Sequence, residues 1–169
     1  MVFADLEIII NLAQELIKYV INYVLDNNGT ELKYLENYDK ENKKEIISKL
    51  KKIVSVDFKK IEYGKSIKIL EKNKEKFIFS DIEEGIDLQS EHEKYLCQYF
   101  GDIPVFITNY PTDLKAFYMK NNPDGKTVEC FDLIFPQIGE LIGGSVREDN
   151  HQLLREKAQK VGLDIDSLS

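Results

Sequence analysis

Leu6, Ile9, Ile10, Ala13, Leu16, Ile17, Val20 and Val24 recur at the three- and four-residue spacing of one helical face, which predicts a long amphipathic helix. Asp5 stands where an N-capping carboxylate belongs, and Asn27-Asn28-Gly29 supplies a stop. Over residues 30–56, Leu32, Leu35, Ile46, Ile47, Leu50, Ile53 and Val54 sit among lysines and glutamates, the pattern of two shorter helices wrapped in solvated charge. Residues 63–70 predict another short helix. Ser90-Glu91-His92-Glu93 has the form of a capping box, opening a helix that runs to about Phe100.

After Gly101 the texture changes to short apolar runs between turn residues. Val105–Thr108 and residues 116–119, 128–135 and 139–146 predict strands, separated by Tyr110-Pro111 and by the turn Asn122-Pro123-Asp124-Gly125. The short connections between the later strands favour antiparallel pairing. Residues 150–160, with Leu153, Leu154 and Ala158 on one face and Val161 just beyond, predict a closing helix ended by Gly162. Helices followed by a mostly antiparallel sheet make the expected fold class α+β.

At 169 residues and 43% apolar the chain fits one domain with a real core. A formal net charge of -7 argues against nucleic-acid affinity driven by bulk charge, so any RNA contact must be local. No apolar run suggests a membrane span and the N-terminus lacks the pattern of a secretory signal, so a cytoplasmic location is expected. Cys97, Cys130, His92 and His151 show no metal-ligand spacing, and the cysteines are expected to be buried reduced thiols.

Chemistry concentrates between Phe131 and Glu148. Asp132 and Glu140 place two carboxylates on neighbouring strands, followed by Gly143-Gly144 and Arg147, an arrangement able to hold a divalent cation and admit a ligand close to the backbone. The plainer alternative makes the carboxylates ordinary strand-edge groups, pairs Arg147 with Glu148 or Asp149, and assigns the glycines to a bulge.

This segment resembles the third strand region of the class II aspartyl- and asparaginyl-tRNA synthetases. Val2-Phe3-Ala4-Asp5 looks like the end of motif 2, residues 58–70 resemble the segment before the substrate loop, and residues 87–93 resemble the family's acidic loop. Residues 104–111, 115–119 and 121–126 are similar to the asparaginyl branch, so the resemblance covers nearly the whole chain.

The resemblance implies part of the class II antiparallel sheet with flanking helices and a helical insertion at about residues 26–60. It implies that Glu140, with Asp132, binds Mg2+ on ATP, and that Arg147 holds the amino-acid side chain. Gly143 and Gly144 would keep space open, and Tyr118 and Lys115 would border the amino-acid pocket. A serine that assists the ion in some relatives is here Gly143, with Ser145 further on; Glu91 and His92 fall in a loop near the substrate amino group. The implied reaction is ATP-dependent activation of asparagine and its transfer to tRNA(Asn), by a homodimer in the complete family. Motif 1, most of motif 2 and motif 3 do not occur in this sequence, so the chain is expected to be inactive alone. An aspartyl-specific enzyme, an asparagine-synthesising paralogue and a non-catalytic interaction module are the alternatives.

Overall fold

The computed structural model describes residues 1–38 and 45–163. Helix α1 spans Leu6–Asn27 and is capped by Asp5, whose Oδ1 accepts the Ile8 N–H at 2.8 Å. Helices α2 (Gly29–Tyr38) and α3 (Ile46–Ser55) fold back beside it, and the Glu36 carboxylate of α2 accepts the Ile47 N–H at the start of α3. The charged stretch 39–44 between them lies outside the described residues. Helix α4 is Tyr63–Glu71 and α5 is Ser90–Tyr99. Helix α6, His151–Lys160, starts under the Asn150 side chain, which accepts the N–H groups of Gln152 and Leu153. Each of these helices follows the apolar spacing of its sequence.

Four strands form one sheet in the order β1-β2-β3-β4: Lys59–Glu62, Val105–Thr108, Cys130–Phe135 and Gly139–Ser145. β2, β3 and β4 pair antiparallel, as the short connections suggest, while β1 joins β2 in parallel. β1 was not expected, and only Ile61 of its four residues is buried. Residues 116–119, by contrast, are not a strand. They form a turn that touches the sheet through a single bridge between Met119 and Arg147. Apolar composition suggested extended backbone there, but no neighbouring strand is in register to complete a ladder.

Alternation along the central strands divides the core between two faces. Val105, Ile107, Cys130 and Ile134 meet α4 and α5 through Ile67, Leu70, Leu96 and Cys97. Phe106, Phe131 and Leu133 meet α1 and α3 through Ile10, Ala13, Ile21 and Ile53. The Phe106 and Phe131 rings pack edge to face at 5.3 Å between centroids. α3 therefore belongs to the core beneath the sheet. α1 is also long and apolar enough, by length and composition, to cross a membrane, contrary to the expectation from sequence, yet it lies on the sheet through Ile10, Ala13 and Ile21.

Both cysteines are buried and reduced. Burial pushes the Cys97 thiol up to about 12, and raises that of Cys130 too. With a pKa near 12, only about one Cys97 in ten thousand is thiolate at pH 8. Iodoacetamide at pH 8 should leave both thiols unmodified in the native chain and modify both in denaturant. Rapid native labelling of Cys97, read by peptide mass, would show that this face of the sheet opens.

Candidate active site

The site is built on the α5-facing side of β3 and β4. Asp132 lies opposite Gly143 and Ile134 lies opposite Glu140, because a bulge between Leu133 and Ile134 leaves Leu141 as an extra residue on β4. With strict two-residue alternation, Glu140 and Gly143 would face opposite sides; the extra residue brings Glu140 round to the side of Asp132. A Cβ built on Gly143 would lie 2.9 Å from Glu140 Oε1 and 3.5 Å from Asp132 Oδ1. The two carboxylates thus converge over Gly143, where the missing side chain leaves room beside them. A Cβ on Gly144 would instead lie 2.6 Å from the Phe131 ring, on the opposite face of the sheet. Gly144 lets the strand approach the core and does not share the space beside the carboxylates.

Glu93 completes the cluster from α5. Its Oε2 accepts the Glu140 N–H at 3.2 Å and would meet a Cβ on Gly139, where φ is +101°, at 2.7 Å. Burial raises the Glu93 carboxyl, with repulsion from Glu140 and Asp132 adding to it. Glu140 is exposed as a whole residue, yet partial desolvation of its carboxyl, then the field of Asp132, raise it as well, while Lys115 acts in the opposite sense. The sequence places Glu93 in a capping box and at the end of the stretch that resembles the acidic loop, without giving it a role at the carboxylate pair. The usable signal was its place four residues before the core residue Cys97, a carboxylate on the buried stripe of α5.

Asp132 is buried and receives the Lys115 ammonium at 2.6 Å. That ammonium also lies 4.0 Å from the centroid of the buried Tyr110 ring, whose hydroxyl is raised by burial and then by the Asp132 carboxylate. Ser145 stands opposite Cys130, one pair beyond Gly143 on the carboxylate face, and its hydroxyl is buried with no partner among the described residues.

Arg147 follows β4. Its guanidinium lies over the Tyr118 ring, 4.4 Å from the centroid. Glu148 pairs with Lys157 and Asp149 with Lys120, so neither ties Arg147 down as the plainer reading supposed. The Tyr118 segment is fixed by its carbonyl accepting the Glu148 N–H at 2.9 Å, and by the Lys120 N–H donating to Val146. Arg147 and Tyr118 are both exposed and free to meet a ligand.

The α5 start differs from its predicted form. Gln89 is the cap, its N–H donating to His92 Nδ1, so the pairing falls one residue earlier than Ser90 and Glu93. His92 is buried, and its Nε2 lies 2.9 Å from the Phe79 carbonyl, which fits the tautomer with the proton on Nε2. Glu91 accepts the N–H groups of Ile78 and Phe79, which hold its carboxyl below the usual range. His92 and Glu91 therefore fasten the 77–79 segment to the helix.

The family model described as tRNA synthetases class II (D, K and N) matches residues 1–168. The chain belongs to that family.

Asparagine–tRNA ligase of Mycoplasma capricolum subsp. capricolum is 45% identical over 169 residues, covering 98% of this chain and 37% of its own length. That of Cytophaga hutchinsonii is 47% identical over 164 residues, covering 96% and 34%. Among solved structures, asparaginyl-tRNA synthetase from Pyrococcus horikoshii complexed with asparaginyl-adenylate superposes with a TM-score of 0.82 at 31% identity, over 97% of this chain and 35% of that one. The chain thus spans little more than a third of the length of the relatives it matches.

The residues present suit a magnesium ion on one condition. Asp132 and Glu140 offer two hard oxygen ligands, and no group of three or more His, Cys, Asp or Glu side chains among the described residues forms a cage. Magnesium commonly takes one or two carboxylates and fills its octahedron with waters and substrate phosphates. Two carboxylates therefore suit only an ion that brings its remaining ligands with it.

Proposed function

We propose that this chain supplies the magnesium–ATP and amino-acid side of an asparagine–tRNA ligase active site. The observation that carries the reading is the convergence of Asp132 and Glu140 over Gly143, made by the β4 bulge, with Arg147 presented at the end of the same strand. In the complete enzyme, Glu140 and Asp132 would hold Mg2+, which neutralises phosphate charge when bound. Arg147, steadied against Tyr118, would direct its planar fork at the asparagine side-chain oxygen. Gly143 keeps the space beside the carboxylates free.

The proposed chemistry runs through an aminoacyl-adenylate. An asparagine carboxylate oxygen attacks the α-phosphate of ATP, the bond to pyrophosphate breaks, and asparaginyl-adenylate forms. A ribose hydroxyl at the end of tRNA(Asn) then attacks the activated carbonyl and AMP leaves. No enzyme nucleophile is required, so catalysis rests on positioning and on charge neutralisation. We assign the reaction to the cytoplasm and a homodimer to the complete enzyme. We also assign the helices within residues 26–60 to an insertion in the catalytic domain.

The test uses the complete reading frame. The full-length protein should exchange pyrophosphate into ATP in the presence of asparagine and much less with aspartate. Exchange driven by aspartate would establish an aspartyl enzyme instead. Exchange with neither amino acid, in a folded protein, would favour the interaction module.

A further inference from the structure

We propose that Lys115 is the resident counter-cation of Asp132, which must give way before a divalent cation can use that carboxylate. The inference rests on the reading of Asp132 and Glu140 as cation ligands. Lys115 Nζ lies 2.6 Å from Asp132 Oδ2, and the two side chains are only 19% and 11% exposed. The ammonium is backed by the Tyr110 ring, so it is held against the carboxylate from behind. Glu140 converges with Asp132 over Gly143, Glu93 reaches the Glu140 N–H beside them, and Asp132 repels both. Lys115 opposes that repulsion at Glu140. Without a cation, these carboxylates would confront one another in a partly dry space, which costs far more than the same charges in water.

Lys115 is also placed to leave. It does not lie in a strand; it follows the short turn Thr112–Leu114, and its N–H donates to the Thr112 carbonyl at 3.3 Å. A long flexible side chain on a loop can swing out without breaking the sheet. The consequence is a coupled site. A free divalent ion must compete with an ammonium already seated on Asp132, whereas an ion that brings phosphate oxygens offers the displaced ammonium new anionic partners. Lys115 would thereby favour entry of the metal together with the nucleotide over entry of the metal alone.

Mn2+ alone is the probe, titrated into the 169-residue chain at low ionic strength and followed by the electron paramagnetic resonance signal of the free ion. Removing a neighbouring positive charge in a partly buried site should tighten cation binding, so Lys115→Met is expected to bind Mn2+ on the order of tenfold more tightly. Lys115→Arg, which keeps the charge, should stay near the unmodified chain, and adding Asp132→Asn to Lys115→Met should erase the gain. A folded Lys115→Met that binds Mn2+ no more tightly than the unmodified chain overturns the proposal; a merely structural strut would give that result, with lowered stability.

A second measurement needs no substitution. Saturating Mg2+ should shift the Lys115 Nζ and Cε resonances together with the Asp132 carboxyl carbon, and a shift of Asp132 with Lys115 unmoved would equally overturn the proposal. The outcomes separate from those of the synthetase reading. Tighter Mn2+ binding by Lys115→Met in a protein without asparagine-dependent exchange would leave the counter-cation in place and remove the proposed activity. Normal exchange without that gain would remove the counter-cation alone.

Discussion

Gly144→Ala should destabilise the fold by roughly 2 to 3 kcal/mol, the cost of forcing a methyl into a packed interior. The new Cβ would lie 2.6 and 2.7 Å from two carbons of the Phe131 ring. Phe131 is 1% exposed and packed against Phe106, so its ring has no vacant space to enter. Alanine restricts the unfolded chain more than glycine does, but that gain is only about 0.5 to 1 kcal/mol and does not offset the clash. Gly143→Ala, one residue away, is the control. Its Cβ meets the end of the Glu140 side chain, which can rotate towards solvent, so the loss should stay within about 1 kcal/mol. Urea unfolding of the three proteins, followed by circular dichroism, decides the matter. Equal midpoints for the two variants would mean that Gly144 does not face the core.

Arg147→Ala in the full-length protein should reduce kcat/KM for asparagine about 30- to 1000-fold, equivalent to roughly 2 to 4 kcal/mol for a charged hydrogen bond lost in a closed pocket. Arg147→Lys keeps the charge but loses the paired donor geometry and the flat stacking on Tyr118, so it should fall in between. The apparent affinity for ATP should change far less in both. Glu140→Gln should show the opposite pattern, a raised magnesium requirement with impaired use of ATP, because one anionic ligand is removed from a hard cation. Because the Arg147 side chain is exposed and meets the Tyr118 ring without an ion pair among the described residues, the substitution should leave stability nearly unchanged. Unaltered asparagine kinetics in Arg147→Ala would leave this arginine no role beyond its contact with Tyr118.

Elements whose apolar period runs long enough are legible along the chain without the fold. The stripe from Leu6 to Val24, closed by Asp5 and Asn28, specifies α1, and Asn150 and Gly162 bracket α6 in the same way. β2 and β3 were legible as apolar runs because both of their faces are buried. The run Glu140-Leu141-Ile142-Gly143-Gly144-Ser145-Val146-Arg147 carries the densest part of the family resemblance and four of the candidate residues, Glu140, Gly143, Gly144 and Arg147.

How those residues meet depends on the folded chain. Lys59–Glu62 carries one buried apolar residue and becomes a strand because β2 offers it an edge. Residues 116–119 are apolar and find no partner in register, so they turn instead. The bulge that carries Glu140 to the side of Asp132 has no signature in composition, since it depends on where the β3 register slips. The same register sends Gly144 to the Phe131 face and leaves Gly143 beside the carboxylates. Lys115 reaches Asp132 across seventeen residues of chain, and Glu93 reaches the Glu140 N–H across forty-seven. Helical and strand periods are local properties of a chain, whereas a site assembled by pairing depends on contacts between distant segments, and these are fixed only when the sheet closes.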